Sequence, residues 1–239
     1  MIKVTNNSGS VGDCLGLTPL FKKEKGVIVM LKNYVTENIL SKLYDGVADI
    51  EFVDKPVEAC PETNDTVCYS QRILNYFKMD DISPIPFVRI TDEEKSWAKD
   101  FLKSYENPIA FNGAVGKPDG HELARYREIP TNICDFLIGN AKKTNSVLQF
   151  GLSSNYRKFD GVVNILDLPI RQLVACYSVI GKYIGSDTGD YHLMLAVGGK
   201  CDVFIPPSTW HYNHGRHLYL SYAWKNEPST RVNYYVFNK

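Results

Sequence analysis

The chain has 239 residues, 27 Lys+Arg against 27 Asp+Glu, 44% hydrophobic and 23% charged residues. These values exclude wholesale disorder, speak against a dedicated nucleic-acid surface, and leave room for one large domain or two small ones. The longest apolar run, Val27 to Leu31, is too short to span a bilayer, and the first residues lack the apolar region of a signal peptide. Cys14, Cys60, Cys68, Cys134, Cys176 and Cys201 show no CxxC spacing and read as the reduced thiols of a cytoplasmic protein.

In chain order, Ile2–Thr5 reads as a short strand that runs into the turn-rich Asn6–Ser10. A helix follows from Gly12 to Lys23, with Leu17, Leu20 and Phe21 at helical spacing and Gly26 as its stop. Val27–Leu31 reads as a buried strand, Val35–Tyr44 as a helix with Val35, Ile39, Leu40 and Leu43 on one face, and Ile50–Val53 as a third strand. Such strand–helix alternation marks a doubly wound α/β domain. Residues 55–70 are irregular. Helices follow over Ser70–Phe77 and Asp92–Tyr105, the second with acids in its first turn. The domain boundary is placed at Asn107-Pro108, giving domains 1–107 and 108–239. The first has 13 basic and 17 acidic residues, a net −4, and the second 14 and 10, a net +4. Opposite signs suit different partners, the second half favouring an anion.

The second half repeats the pattern. Strands are expected at Pro108–Phe111, Ser146–Gly151, Val162–Ile165, Lys182–Gly185 and Cys201–Ile205. Helices are expected at Ile129–Ala141 (with Thr131 as N-cap), Leu168–Ser178 and Gly189–Val197, and a last strand over Arg231–Phe237.

Two stretches carry chemistry. In Tyr183–Gly198 a strand enters the polar turn Ser186-Asp187-Thr188-Gly189, where a helix opens. Free backbone N–H groups and the positive end of the helix dipole there suit a phosphate, with the Thr188 hydroxyl as a donor and Gly189 permitting close approach. The plainer alternative is an ordinary turn with Asp187 as helix cap. The second stretch is Gly12-Asp13, at the first strand-to-helix turn. A carboxylate there suits a general base, and equally a simple N-cap. Asn112 and Lys117, in the Gly-rich stretch after the second half's first strand, are further candidate ligand contacts, as is Gly12. His211, His214 and His217 recur every three residues, but Gly215 intervenes and no Cys, Asp or Glu stands at ligand spacing. That aromatic, His- and Arg-rich loop better suits sugar or nucleotide contacts through His211 and Arg216, and no metal site is assigned.

Gly12-Asp13-Cys14-Leu15-Gly16-Leu17-Thr18-Pro19 resembles the "GD-x-L-x-x-T/S-P" start of glycosyltransferase family 9, the heptosyltransferase-like enzymes. Gly185-Ser186-Asp187-Thr188-Gly189, with His192-Leu193 and Ala196, resembles that family's "G-x-D-[ST]-G-x-x-H-L-A-A-A-L-G" signature. Between them, Leu166–Leu173 resembles the helix preceding the signature strand, Arg125-Tyr126 a "[KR]-W" pair, and Gln71–Phe77 an inter-domain helix. Asp190 stands where the family often has Pro or another uncharged residue, and the first domain is abbreviated. The resemblance implies a GT-B-like α/β fold, two Rossmann-like doubly wound domains facing across a cleft. It implies a metal-independent, inverting glycosyltransferase without a cofactor, moving a hexosyl, heptosyl or related group from a nucleoside-diphosphate sugar to a hydroxyl acceptor such as a glycan. Peripheral membrane association is compatible with such an acceptor. Carried over, Asp13 becomes the base. Asp187, Thr188, Gly189 and His192 form the donor-diphosphate turn, and Arg125 neutralises the leaving diphosphate.

Two rivals belong to other classes. One is a non-catalytic sugar-nucleotide-binding protein. The other is a Rossmann-type oxidoreductase, against which the first loop lacks GxGxxG and no acid follows a second strand at ribose-binding spacing.

Overall fold

A computed structural model describes residues 1–6, 11–55, 74, 76–79, 81–113, 128–153, 156–205 and 231–236. The chain divides into two compact units, the first within Met1–Arg89 and the second starting at Ile90. Most of the expected helix at Ser70–Phe77 lies outside the described residues.

The first unit is built on a parallel sheet of three strands, β1 (Ile2–Asn6), β2 (Gly26–Leu31) and β3 (Asp49–Val53), in that order. The central β2 is an almost unbroken apolar run with Ile28, Val29 and Met30 buried, as a strand covered on both faces requires. Helix α1 (Val11–Leu17) continues into a 3-10 turn, Thr18–Lys22, and together they bury Cys14, Leu15, Leu17, Leu20 and Phe21. An extended segment is tied to them: Phe87 N–H donates to Thr18 Oγ1 (2.9 Å), and Lys22 Nζ to the carbonyls of Ser83 (2.8 Å) and Ile85 (2.6 Å). At the end of β1, the buried Asn6 amide donates to Cys14 Sγ (3.0 Å) and Tyr44 OH (3.2 Å), and Tyr44 OH donates to the Cys14 carbonyl (2.7 Å). Burial pushes the Cys14 thiol up to about 11.

The helix expected over Val35–Tyr44 is instead two pieces, α2 (Tyr34–Asn38) and a 3-10 turn over Leu40–Tyr44. Asn33 and Thr36 form a reciprocal capping box, and the Thr36 hydroxyl donates to the Leu31 carbonyl (2.6 Å). That arrangement turns Thr36 inward and leaves Val35 exposed; the helix then breaks at Ile39 (φ −120°, ψ −66°) so that Leu40, Leu43 and Tyr44 can reach the core.

The second unit holds a six-stranded parallel sheet. Its strands are β4 (Ile109–Asn112), β5 (Val147–Gly151), β6 (Val163–Leu166), β7 (Lys182–Ser186), β8 (Lys200–Ile205) and β9 (Val232–Val236). The order is β6-β5-β4-β7-β8-β9, so strand order reverses between β4 and β7. One face packs Ile109, Phe111 and Val147 against Cys134 and Ile138 of helix α4 (Thr131–Ala141) and against Phe159 and Val162 of an irregular β5–β6 connection. On alternate positions, Phe150 meets Tyr177 of helix α5 (Ile170–Ile180) edge to face, with ring centroids 5.2 Å apart. Helix α6 (Gly189–Ala196) connects β7 to β8. Pro130, not Thr131, is the N-cap of α4; the Thr131 hydroxyl instead accepts from Arg157.

Helix α3 (Asp92–Leu102) packs on α5 within this unit. Its N-cap Thr91 and Glu94 form a capping box, and Glu94 also accepts a two-pronged bond from Arg171, Nε to Oε1 at 2.8 Å and Nη2 to Oε2 at 2.6 Å. Burial pushes the Glu94 carboxyl up, but the Arg171 and Thr91 donors outweigh it and hold the group below its ordinary value. Its ionised form therefore stabilises the fold above the unfolded carboxylate range, and that stability is lost as pH falls through the folded value. Glu94→Gln is expected to cost about 1–2 kcal/mol at pH 7 in urea unfolding, with the difference from wild type shrinking below about pH 4.

Candidate functional site

In an open parallel sheet, side chains and loops at the carboxyl ends of the strands meet a crevice where the strand order reverses. Here that point lies between β4, ending at Asn112, and β7, ending at Ser186. The turn Asp187-Thr188 leads from β7 into α6, with Thr188 as N-cap in an extended conformation.

Close approach of backbone and side chain shapes this point. Gly185 pairs with Asn112 across β4 and β7. A methyl group at Gly185 would overlap the Asn112 carbonyl oxygen and stand 2.5 Å from Tyr183 OH. The absence of a side chain therefore lets the buried Tyr183 ring lie beneath the turn. Its hydroxyl donates to the Ser186 carbonyl (2.8 Å) and stands 3.2 Å from Thr188 Oγ1.

Asp190, the second residue of α6, directs its carboxylate into the same cluster. Oδ2 accepts from Asn112 Nδ2 (2.7 Å) and from the Thr188 hydroxyl (3.2 Å), and Oδ1 accepts from Tyr177 OH (2.8 Å). Burial pushes the carboxyl above its ordinary value, against the pull of these three donors. Tyr177 and Tyr183 are raised well above the ordinary phenol value, first by burial and then by the Asp190 charge. Four elements, β4, α5, β7 and α6, thus meet in one hydrogen-bonded cluster.

The Thr188 hydroxyl is engaged with the Asp190 carboxylate and makes no capping bond to the backbone N–H groups of the first turn of α6. A helix start leaves several N–H groups without intrahelical partners, and this one is not capped by its own N-cap side chain. Asp187, only 8% exposed, faces His192 with Oδ1 3.8 Å from Nε2, and the His192 ring lies tilted by 38° against Tyr191 with centroids 3.9 Å apart. The structure thus gathers Asn112, Asp187, Thr188, Gly189 and His192 at one end of the sheet. Gly12 and Asp13 lie in α1 of the first unit, both partly buried. Arg125, Lys117, His211 and Arg216 lie outside the described residues.

Sequence reasoning missed Tyr177, Tyr183 and the inward role of Asp190. The alternation of β7 would have turned Tyr183 inward beside Gly185, and an acid one position past the N-terminal glycine was its available partner.

No family model and no curated protein matches the chain. Solved structures do. A glycosyl transferase family 9 protein from Veillonella parvula superposes with a TM-score of 0.67 at 11% identity, over 99% of this chain and 85% of that one. The ADP-heptose lipopolysaccharide heptosyltransferase II of E. coli gives 0.59 at 11% identity, over 98% and 90%. E. coli heptosyltransferase WaaC with ADP gives 0.52 at 10% identity, over 98% and 92%. The chain is a mixed α/β protein with parallel sheets that shares the fold of these transferases; at such identities the likeness concerns the fold.

Gly185→Ala should cost about 2 kcal/mol or more in urea unfolding, because backbone and a buried phenol must both give way. A change within 0.5 kcal/mol would mean that the close approach over Gly185 is not structural.

Proposed function

We propose that the protein is a glycosyltransferase of GT-B type, cytoplasmic, moving a glycosyl group from a nucleoside-diphosphate sugar to a hydroxyl acceptor with inversion and without a catalytic metal. The observation that carries this reading is the start of α6, whose N-cap Thr188 makes no side-chain capping bond, at the reversal of strand order in a chain with the fold of heptosyltransferases. Backbone N–H groups there, with Gly189 presenting no side chain, suit the donor diphosphate. His192, facing Asp187 and packed against Tyr191, supports the turn from within the helix.

In the proposed reaction Asp13 takes the proton of the acceptor hydroxyl. The acceptor oxygen forms its bond to the anomeric carbon as the bond from that carbon to the diphosphate oxygen breaks on the opposite face. The electron pair leaves on the nucleoside diphosphate, whose charge the α6 N-terminus and Arg125 stabilise. The acceptor is a hydroxyl compound such as a glycan.

A thermal-shift screen against ADP-, GDP-, UDP- and dTDP-sugars tests the donor class: a ligand at 100 times its Kd adds about 2.7 kcal/mol of stability. With the donor so identified, Asp13→Asn should lower turnover about 100-fold or more while donor Kd stays within twofold. Turnover unchanged in that variant would remove Asp13 from the chemistry, and no shift with any nucleotide would overturn the donor reading.

A further inference from the structure

A carboxylate beside a turn that is to receive a diphosphate is an electrostatic contradiction, and the geometry around Asp190 resolves it in a definite way. Its two oxygens are taken up by Asn112 from β4, Tyr177 from α5 and Thr188 from the turn itself. Thr188 has one hydroxyl proton, and it is spent on Asp190 Oδ2. Thr188 Oγ1 also lies 3.2 Å from Tyr183 OH, whose own proton goes to the Ser186 carbonyl, so the bond to Asp190 is what holds the Thr188 side chain inward.

We propose, on the donor-site reading above, that Asp190 is a positioning residue. It draws the Thr188 hydroxyl inward, so that the diphosphate is held by backbone N–H groups of α6, and its negative charge beneath the turn weakens that hold. Donor binding is then governed by the charge state of this one carboxylate, a restraint that favours release of the nucleoside diphosphate.

Among the described residues, the titratable groups around Asp190 are Tyr177 on α5 and Tyr183 on β7, both held in the neutral form by burial and by Asp190 itself. Beyond them in the turn and helix, Asp187 and His192 face one another. Burial raises the Asp190 carboxyl above its ordinary value, against the pull of Asn112, Tyr177 and Thr188. As pH falls through that value the carboxylate takes up a proton, its charge vanishes, and anion binding strengthens; as pH rises the charge returns and binding weakens.

The test is the Kd of ADP, by isothermal titration calorimetry at several values from pH 5 to 8, for wild type, Asp190→Asn and Tyr177→Phe. ADP titrates its own terminal phosphate near pH 6, and comparison at equal pH cancels that contribution. Asp190→Asn should bind ADP about five- to tenfold more tightly at pH 8, with the gap narrowing as pH falls. Tyr177→Phe removes a donor that favours the ionised carboxylate, so the pH at which affinity falls should move upward. A merely structural role would change affinity without moving that midpoint, and if Asp190→Asn does not fold, Tyr177→Phe decides alone. Equal affinity and pH slope in wild type and Asp190→Asn, or an unmoved midpoint in Tyr177→Phe, would overturn the role of Asp190 while leaving the donor site standing. Failure of wild type to bind ADP at every pH, together with no response to the other nucleotides, would overturn the donor site and this inference with it.

Discussion

The missing side chain of Gly185 lets three things occupy one place: the Asn112 carbonyl, the Tyr183 hydroxyl and the turn into α6. Parallel strands β4 and β7 are joined there by a hydrogen-bond ladder and by side chains that cross it. Asn112 reaches from the end of β4 to Asp190 in α6, 78 residues later, so the helix is tied to a distant strand as well as to the strand that leads into it. Such a long-range tie is what fixes the direction of the helix start and therefore where its N–H groups point.

This polar cluster differs in kind from the ion pair between Glu94 and Arg171. The ion pair has complementary charges and joins two helices, and its carboxyl is driven toward ionisation. Asp190 has neutral donors only, and burial drives its carboxyl the other way. The first arrangement anchors α3 to α5; the second holds a charge in reserve beside a helix start. Buried carboxylates without a cation are costly, and three hydrogen bonds offset only part of that cost. A carboxylate buried at such cost in the first turn of a helix is a candidate for a role beyond packing.

Much of the fold was legible in the sequence. The apolar runs of β2, β4 and β5 read directly as strands, that of β2 as a buried one, and strand–helix alternation gave the α/β class. The turn at Ser186–Gly189 was visible because glycine and small polar residues follow a strand and precede an apolar helix. Other features were hidden by tertiary choices. Val35 has the spacing of a core residue, but the Asn33–Thr36 capping box rotates it outward and the break at Ile39 starts a new turn. Thr131 has the chemistry of an N-cap, but Pro130 takes that place and the hydroxyl serves Arg157. The alternative that made Asp187 the cap of α6 places it one residue early: Thr188 is the N-cap, and Asp187 faces His192. The cluster around Asp190 draws on residues 112, 177, 183, 188 and 190, a set that no local pattern collects.

The central claim is that an anionic nucleotide binds at the start of α6 where strand order reverses. Backbone amide NMR of the isotope-labelled protein, titrated with ADP, tests it most directly. The account predicts the largest shift changes at the amides of Gly189, Asp190 and Tyr191, with smaller ones at Asn112 and Gly113. Saturable shift changes confined to other parts of the protein, with these five amides unmoved, would contradict it.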